Sequence, residues 1–353
     1  MGTSRRAVLR MLAGLVVATG GTSWMEACAG TNTFPAQSLP HSMLPAHPGR
    51  GTTLLTYYGQ LHYKVDPLAW SPDGKRLASG YIAESLSLLQ VWDANTGKTM
   101  LSCKHGQNVY GVAWSPDSKR VASGGGDNRV HVWDAAQGKD ATTTSRTLLI
   151  YVGHTGSVIG VAWSPDGTRI ASGSTDPPVQ VWEATTGKTL LTYPGHSGSV
   201  ISVAWSPDGT RIASGSADRT VRVWEGTTGK TLLIYTGHAR EVFGVAWSPD
   251  GTRLASASAD RTVRVWEVTT GKTLLTYTGH SAPVTDVKWS ADGKLIATGS
   301  GDTTVQVWEA TTGRVLFTYR GHTDVVFSVA WSPDGTRLAS ASADTTVQVW
   351  EAR

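Results

Sequence analysis

Apolar and polar positions recur in one order along most of this chain. Residues 237–278 show the unit: 242–247 and 254–258 are short apolar or small-residue runs, 263–266 alternates apolar and polar side chains, and 273–277 ends the unit. Turn sequences separate these runs, and in Ser-Pro-Asp-Gly the proline presets φ while the glycine accepts a positive φ. The pattern predicts four short antiparallel strands joined by hairpin turns.

A pair of tryptophans marks every copy of this unit. The first set is Trp70, Trp114, Trp163, Trp205, Trp247, Trp289 and Trp331, and the second is Trp92, Trp133, Trp182, Trp224, Trp266, Trp308 and Trp350. From Trp163 onward each set steps by 42 residues. A lone four-stranded sheet cannot bury both of its faces, whereas copies stacked around a ring bury both. The period therefore predicts one domain of seven blades, although 353 residues could hold two domains by length alone.

Gly-His, Asp and Val-Trp-(Asp/Glu) recur at fixed offsets, and through them residues 51–353 resemble the WD40 repeat family. The resemblance implies an all-β, seven-bladed β-propeller with four antiparallel strands per blade. It also implies a structural hydrogen-bonded chain of His, Ser or Thr, Asp and Trp within a blade. The sets that we single out are His196, Ser214, Asp218, Trp224; His238, Ser256, Asp260, Trp266; and His322, Ser340, Asp344, Trp350. The second, third and sixth copies carry corresponding sets.

The first copy departs from this pattern. Leu86 stands where the other copies carry the Asp, and His62 is displaced by one residue. We therefore expect the first blade to lack an intact chain and to be the loosest blade.

The two ends of the repeat region complement each other. The chain stops after the third strand of the seventh copy, and residues 52–57 resemble the fourth strand at 273–277. We expect the N-terminal strand to pair into the last blade and close the ring, which leaves no open sheet end.

The first 50 residues do not resemble the repeats. Ser4-Arg5-Arg6 opens a segment similar to a bacterial twin-arginine export motif, and an apolar stretch follows at 11–19. Cys28 then resembles the acylated cysteine of a bacterial lipoprotein; a plain export signal and an uncut anchor are the alternatives. We interpret 1–28 as an export signal and 29–50, which is rich in proline, as a flexible tether. This predicts an exported, extracytoplasmic protein that meets the bacterial cell membrane only through its N-terminal anchor.

The net charge argues against a nucleic-acid partner, and the cysteine count limits disulfide bonding. The net charge is +4, and removal of residues 1–27 with three arginines and one glutamate leaves 4 − 3 + 1 = +2, which is too small to predict nucleic-acid binding. Cys28 and Cys103 are the only cysteines, so acylation of Cys28 would exclude an intramolecular disulfide. We expect a monomer. We also expect its repeated turns to carry solvated Asp–Arg pairs, such as Asp208 with Arg211 and Asp250 with Arg253.

The ten histidines raise the question of a metal site. Six occupy the repeated position, about one per blade, so we expect no convergence on one ion. His41 and His47 lie in the tether, and His131 replaces an Arg or Gln and is interpreted as isolated. No Ser-His-Asp set stands out from the copies, and no glycine-rich loop opens a helix. The sequence therefore predicts no metal, no cofactor and no catalytic residue.

Positions that differ between copies are the candidates for function. The family resemblance places several of them on the narrow top rim of the propeller, where partners dock. The predicted partner-binding residues are Tyr110, Ile159, Ile201, Arg240, Glu241, Phe243, Thr285 and Phe327. We therefore expect a non-enzymatic scaffold that binds a protein or peptide through this rim. Filling of gaps between blades is the alternative role of these side chains.

A site in the central channel is the alternative function, either for a small ligand or for an enzymatic reaction. Its polar candidates are Lys64, Asp66, Asp286 and Lys288, which belong to the first and sixth copies and thus to blades that are not adjacent. We interpret Asp286 and Lys288 as a local ion pair. A purely structural role in the cell envelope is the third hypothesis.

Overall fold

The described part of the chain is a ring of seven antiparallel sheets. A computed structural model describes residues 37–38, 49–58, 64–82, 87–136 and 147–352. Six sheets have four strands, and the seventh has five. The first strand of each sheet packs against the first strand of the next, and the seventh sheet returns to the first. The fold is the predicted seven-bladed β-propeller.

The strands follow one another in chain order, and only the last blade borrows strands from the N-terminal side. That blade, blade 7, combines β1 (Gln37–Ser38) and β2 (Thr53–Tyr58) with the three strands at the end of the chain. The first three complete blades comprise β3 (Lys64–Trp70), β4 (Arg76–Ile82), β5 (Leu88–Asp93) and β6 (Thr99–Lys104) in blade 1; β7 (Val109–Trp114), β8 (Arg120–Gly125), β9 (Val130–Asp134) and β10 (Thr147–Tyr151) in blade 2; and β11 (Val158–Trp163), β12 (Arg169–Ser174), β13 (Val179–Glu183) and β14 (Thr189–Tyr193) in blade 3.

The remaining blades repeat this arrangement. They comprise β15 (Val200–Trp205), β16 (Arg211–Ser216), β17 (Val221–Glu225) and β18 (Thr231–Tyr235) in blade 4; β19 (Val242–Trp247), β20 (Arg253–Ser258), β21 (Val263–Glu267) and β22 (Thr273–Tyr277) in blade 5; β23 (Val284–Trp289), β24 (Leu295–Ser300), β25 (Val305–Glu309) and β26 (Val315–Tyr319) in blade 6; and β27 (Val326–Trp331), β28 (Arg337–Ser342) and β29 (Thr346–Glu351) in blade 7. Within the described ranges, no helix is long and apolar enough to cross a membrane.

The ring closes through the N-terminal strand, as predicted. β2 pairs antiparallel with β29, with Leu55 opposite Val349 and Tyr57 opposite Val347. Leu55 and Tyr57 are only 2% and 3% exposed, so the closing strand brings two core side chains with it. The short strand β1, within the proposed tether, pairs with the outer edge of β2.

Tight turns connect the first and second strands of the blades in the way that their sequence predicts. In blade 5, Gly251 has φ +66° and its N–H donates to Ser248 O at 2.9 Å. The Arg253 N–H donates to Ser248 Oγ at 2.9 Å, which joins the two ends of the turn. The turn needs a positive φ at this position, which glycine adopts with the least strain, and in blade 2 Ser118 takes the same position at φ +59°.

Aromatic stacking joins neighbouring blades. The fourth-strand tyrosine of one blade stacks on the third-strand tryptophan of the next, with ring centroids 4.3–4.5 Å apart and planes within 9° of parallel. The pairs are Tyr57–Trp92, Tyr151–Trp182, Tyr193–Trp224, Tyr235–Trp266, Tyr277–Trp308 and Tyr319–Trp350. Such buried stacked pairs contribute about 0.5–1.5 kcal/mol each beyond the area they bury.

The turn arginines have a different role from the one expected. The Asp208–Arg211 pair exists, with Oδ2 and Nη2 3.6 Å apart. However, the Arg211 guanidinium also lies 4.8 Å from the Trp247 ring centroid and donates to Gly251 O of the next blade at 3.1 Å. Equivalent arginine–tryptophan contacts link five further pairs of blades. The expectation of merely solvated turns is therefore wrong, because these arginines bridge adjacent blades.

Several expectations concern residues outside the described ranges. They are the export signal at 1–28 with Cys28, most of the tether at 29–50, His62 and Leu86. Blade 1 nevertheless has all four strands paired in the order of the other blades.

Removal of β2 should destabilise the whole ring. A chain that begins at residue 59 leaves the β29 edge and the core around Val347 uncovered, whereas a chain that begins at residue 49 keeps the closing strand. We expect the shorter chain to melt at a markedly lower temperature or to aggregate, and the longer chain to match the full-length protein. Circular dichroism melts of the three proteins check this, and equal melting temperatures would contradict it.

Candidate functional site

The seven inner strands surround an axial cavity of about 630 Å³. Small residues such as Gly160, Ala162 and Ala204 face the cavity along the strands, which keeps the axis open. Tryptophans that end the strands, such as Trp163, line it at one end. Six of the predicted partner-binding residues stand four positions before these tryptophans and line the cavity near its other end: Tyr110, Ile159, Ile201, Phe243, Thr285 and Phe327. The axial cavity and these predicted partner-binding residues therefore belong to one surface.

The structure brings most of the predicted docking residues together. Ile159 and Ile201 pack against each other and against the partly buried Tyr110 and Phe243, which forms an apolar arc across blades 2 to 5. Phe327 packs with Val325 and Ala343 in a separate cluster in blade 7. We call these residues, with Thr285 between them, the apolar collar: Tyr110, Ile159, Ile201, Phe243, Thr285 and Phe327.

Members of the collar differ in their accessibility. Ile159, Ile201 and Phe327 are buried at 6%, 7% and 8% exposure, whereas Tyr110, Phe243 and Thr285 are half-buried. Thr285 Oγ1 donates to Val326 O of the next blade at 2.6 Å. These side chains thus fill gaps between blades and line the cavity at once, so the two roles considered from the sequence are compatible.

Arg240 and Glu241 lie beside this surface. Arg240 is exposed and Glu241 is half-buried, and neither lines the cavity. Glu241 O accepts the Ala259 N–H at 2.9 Å, which fixes the loop that enters β19. Both side chains therefore stand outside the collar, next to Phe243.

Polar groups gather on the cavity wall at blades 6, 7 and 1. Lys288 Nζ lies 2.6 Å from Asp286 Oδ1, as the predicted ion pair requires. The second oxygen of the buried Asp286 accepts hydrogen bonds from the Val329 N–H at 3.1 Å and Ser328 Oγ at 3.2 Å. The pair is therefore more than local, because it fastens blade 6 to blade 7. In this interface Leu295 takes the place of the bridging arginine.

The charges of this ion pair also act on Asp66, which lies in blade 1 on the other side of blade 7. Burial, and then the negative charge of Asp286, raise the pKa of the Asp66 carboxyl to about 8, while Lys288 lowers it. The polar candidates of blades 1 and 6 lie in blades that are not adjacent, as the sequence indicates, yet their charges still influence one another across blade 7. Lys64 lies on β3 of the same blade as Asp66.

A four-residue network holds the upper ends of the strands in blades 4 to 7. In blade 5, His238 Nε2 lies 2.7 Å from Ser256 Oγ, His238 Nδ1 lies 2.9 Å from Asp260 Oδ2, and Trp266 Nε1 donates to Ser256 Oγ at 3.3 Å. In the other three blades the histidine Nε2 lies 2.7–2.8 Å from the hydroxyl oxygen and the histidine Nδ1 lies 2.7–2.8 Å from the aspartate. The tryptophan Nε1 donates to the same hydroxyl oxygen at 3.3–3.4 Å. The sets are His196, Ser214, Asp218, Trp224; His280, Thr298, Asp302, Trp308; and His322, Ser340, Asp344, Trp350.

This network has the connectivity of a serine–histidine–aspartate triad, but it cannot act as one. Ser256 is 0% exposed and its hydroxyl also accepts from Trp266, so no substrate reaches it. Burial opposes ionisation of Asp260, yet hydrogen bonds from His238 and Thr262 outweigh burial and hold the pKa of this carboxyl well below its ordinary value. A buried, satisfied and ionised network of this kind stabilises the fold.

Blades 1 and 3 vary the network. In blade 1, Trp92 Nε1 donates to Ser79 Oγ at 3.2 Å, and the buried Tyr81 hydroxyl lies 3.2 Å from the same oxygen, where the other blades place histidine. In blade 3, His154 Nε2 lies 2.7 Å from Ser172 Oγ, but His154 Nδ1 has no hydrogen-bond partner in the described structure. The change in blade 1 is visible in the sequence, because Tyr81 follows the repeated serine, Ser79, by two residues.

Blade 2 shows the largest change, and it contradicts the interpretation of His131 as isolated. Cys103 occupies the position of the stacking tyrosine, and the His131 ring stacks on Trp133 instead, with centroids 5.2 Å apart and planes 8° from parallel. His131 Nε2 lies 2.9 Å from Asp127 Oδ2, and His105 Nδ1 lies 3.6 Å from the same oxygen. Burial, and then the neighbouring His131, lower the pKa of His105 to about 4, against the effect of Asp127.

Comparison with known families agrees with this geometry. The family described as "WD domain, G-beta repeat" matches residues 97–134, 145–183, 187–225, 229–267, 271–309 and 313–351. The chain therefore belongs to the WD40 repeat family, whose propellers are generally non-enzymatic scaffolds that bind proteins or peptides. No curated protein matches the chain.

Loss of one network carboxylate should destabilise the protein. We expect Asp260→Ala to lower the free energy of unfolding by about 1–3 kcal/mol at pH 7, because His238 and neighbouring N–H groups lose their acceptor. The folded-state pKa of Asp260 is depressed, so the charge-dependent part of this contribution is fully present above the ordinary Asp pKa of about 4 and declines progressively as pH falls from there towards the folded-state pKa.

Urea unfolding at pH 7 and at pH 3–4 measures both effects. The exposed Lys272→Ala in the same blade is the control and should change stability by less than about 0.5 kcal/mol. An Asp260→Ala protein as stable as that control would show that the network does not stabilise the fold.

Proposed function

We propose that this propeller is a scaffold that binds a protein or peptide segment at the apolar collar. The observation that carries the proposal is the continuous arc of Tyr110, Ile159, Ile201 and Phe243 beside an open axial cavity. An isolated exposed apolar residue needs no explanation, whereas a contiguous apolar surface around a concavity is typical of an interaction site.

The distribution of side chains around the collar favours a polypeptide partner. Half-buried aromatic rings of Tyr110 and Phe243 offer anchors near the centre, and the charged Arg240 and Glu241 stand at the edge. An apolar aromatic centre with a polar rim is the usual composition of protein interfaces. The closed ring also holds these side chains in place, so little conformational freedom is lost on binding.

Catalysis finds less support at this surface. Within the described residues, no histidine or cysteine lines the cavity. Besides the Tyr110 hydroxyl, the ionisable groups on its described lining are the Asp66 carboxyl and the Asp286–Lys288 pair, and Asp286 is already engaged by Lys288 and blade 7. The scaffold function therefore explains more of the lining than a reaction does.

Replacement of a half-buried collar aromatic tests the docking surface. Peptides selected from a random display library against the purified full-length chain would be measured for affinity by calorimetry. We expect Phe243→Ser to weaken the selected peptides at least about tenfold, because loss of a central aromatic anchor costs more than 1 kcal/mol. Tyr110→Ser should act in the same direction.

Leu274→Ser is the matched control, since Leu274 is an apolar side chain that is 49% exposed on the outer strand of the same blade. This change should leave the affinity unaltered. Equal affinity for the Phe243→Ser and Leu274→Ser proteins, both folded by circular dichroism, would refute the collar as the docking surface.

We further propose that the scaffold is exported, works as a monomer and is held at the outer face of a bacterial membrane by acylated Cys28. The support is the order of the first 30 residues: the arginine pair Arg5-Arg6, the apolar stretch at 11–19, and then Ala27-Cys28. Within the tether at 29–50, the part ahead of β1 would give the propeller reach from the membrane surface.

The intact mass of the mature protein tests this proposal. Protein isolated from bacterial membranes should have the mass of a chain that begins at Cys28 and carries acyl groups. The Cys28→Ser variant should lose this modification and leave the membrane fraction. An unmodified chain that begins elsewhere would rule out lipidation at Cys28.

A further inference from the structure

We propose that His105, Asp127 and His131 in blade 2 form a binding site for one divalent ion of the zinc class. The three residues come from three places: the segment that leads into β7, the turn between β8 and β9, and β9 itself. The cluster is separate from the apolar collar, so this site is independent of the docking function.

The ligand atoms are close to a coordination geometry. Asp127 Oδ2 lies 2.9 Å from His131 Nε2 and 3.6 Å from His105 Nδ1, and the ligand atoms of all three residues lie within 4.8 Å of one another. Ligands bound tetrahedrally to zinc at about 2.1 Å stand about 3.4 Å apart. Small side-chain adjustments therefore suffice to bring the three groups onto one ion.

Two buried nitrogens of the cluster, His105 Nδ1 and His131 Nδ1, lack a hydrogen-bond partner in the described structure, and His105 Nδ1 is the one that faces Asp127. In blades 4 to 7 the corresponding histidine Nδ1 lies 2.7–2.9 Å from its aspartate. A buried unpaired nitrogen is costly. An ion between His105 and Asp127 would satisfy this nitrogen and the carboxylate together.

The third ligand is what sets blade 2 apart. The position of His131 is occupied in the other blades by a longer amide or guanidinium side chain: Gln90, Arg222, Arg264, Gln180, Gln306 and Gln348. Cys103 stands where other fourth strands carry the stacking tyrosine, and in blade 2 the His131 ring stacks on Trp133 and lies beside Asp127. Two changes on different blades thus produce one three-ligand cluster.

The ligand set indicates which ion would bind. Two imidazoles and one carboxylate suit Zn²⁺ and the neighbouring divalent ions Co²⁺, Ni²⁺ and Cu²⁺, whereas Mg²⁺ and Ca²⁺ prefer oxygen ligands. The Asp127 side chain is 14% exposed, which gives an ion access and leaves room for a water as the fourth ligand. A bound ion would tie the entry to β7 to the β8–β9 turn, the link that hydrogen bonds make in blades 4 to 7.

Metal content measured on the full-length protein tests the site. The chain would be stripped with a chelator, equilibrated with Zn²⁺, dialysed and analysed by plasma mass spectrometry, and Co²⁺ absorption spectra would report tetrahedral coordination. We expect one strongly held zinc ion per chain. His131→Gln introduces the residue that four other blades carry, so it should fold normally and weaken zinc binding by at least about tenfold.

Two further variants make the result specific. Asp127→Asn should also lose the ion, whereas Asp260→Asn, which alters a two-ligand histidine–aspartate pair in blade 5, should retain it. Zinc bound by the other histidines is common to all these proteins, so it does not affect the comparison between them. Absence of tightly held zinc from the unaltered chain, or equal zinc content in the unaltered and His131→Gln proteins, would overturn the proposal.

Discussion

Each sheet of this protein has a face that only the next sheet can cover, and this constraint organises the rest of the molecule. The stacked tyrosine–tryptophan pairs, such as Tyr235 with Trp266, and the arginines over tryptophans, such as Arg211 over Trp247, lie at these contacts. A row of sheets that buries faces in this way always leaves two ends. Packing of blade 7 against blade 1 covers both ends, and pairing of β2 with β29 fastens this junction, which makes the ring a closed unit.

Closure also determines where specialisation is possible. Repeated positions serve the turns, the stacking and the buried networks, and some changes there are matched by a change in the neighbouring blade. Cys103 with His131 is such a matched change between blades 1 and 2. Asp286 is another: where Leu295 replaces the bridging arginine, its carboxylate joins blade 6 to blade 7. Free variation is left mainly to the collar around the axial cavity.

The architecture follows from the sequence because it rests on local rules. Alternating apolar residues, Asp-Gly turns and the 42-residue period predict strands, hairpins and stacked copies without any knowledge of distant contacts. The closing strand was predictable for the same reason, since residues 52–57 resemble a fourth strand. The environment of His131 and the raised pKa of Asp66 were not predictable, because each depends on residues from another blade. Period and spacing carry no information about such distances.

Hydrogen exchange at the closing strand tests the account most directly. If closure makes the ring one cooperative unit, the paired amides of Thr53–Tyr58 should exchange only through global unfolding, with the same protection as those of Arg337–Ser342 inside the same blade. Mass spectrometry of peptides from the two strands measures this in one experiment. Exchange of the β2 amides through a much smaller opening free energy than those of β28 would contradict the account, since the ring would then open without unfolding.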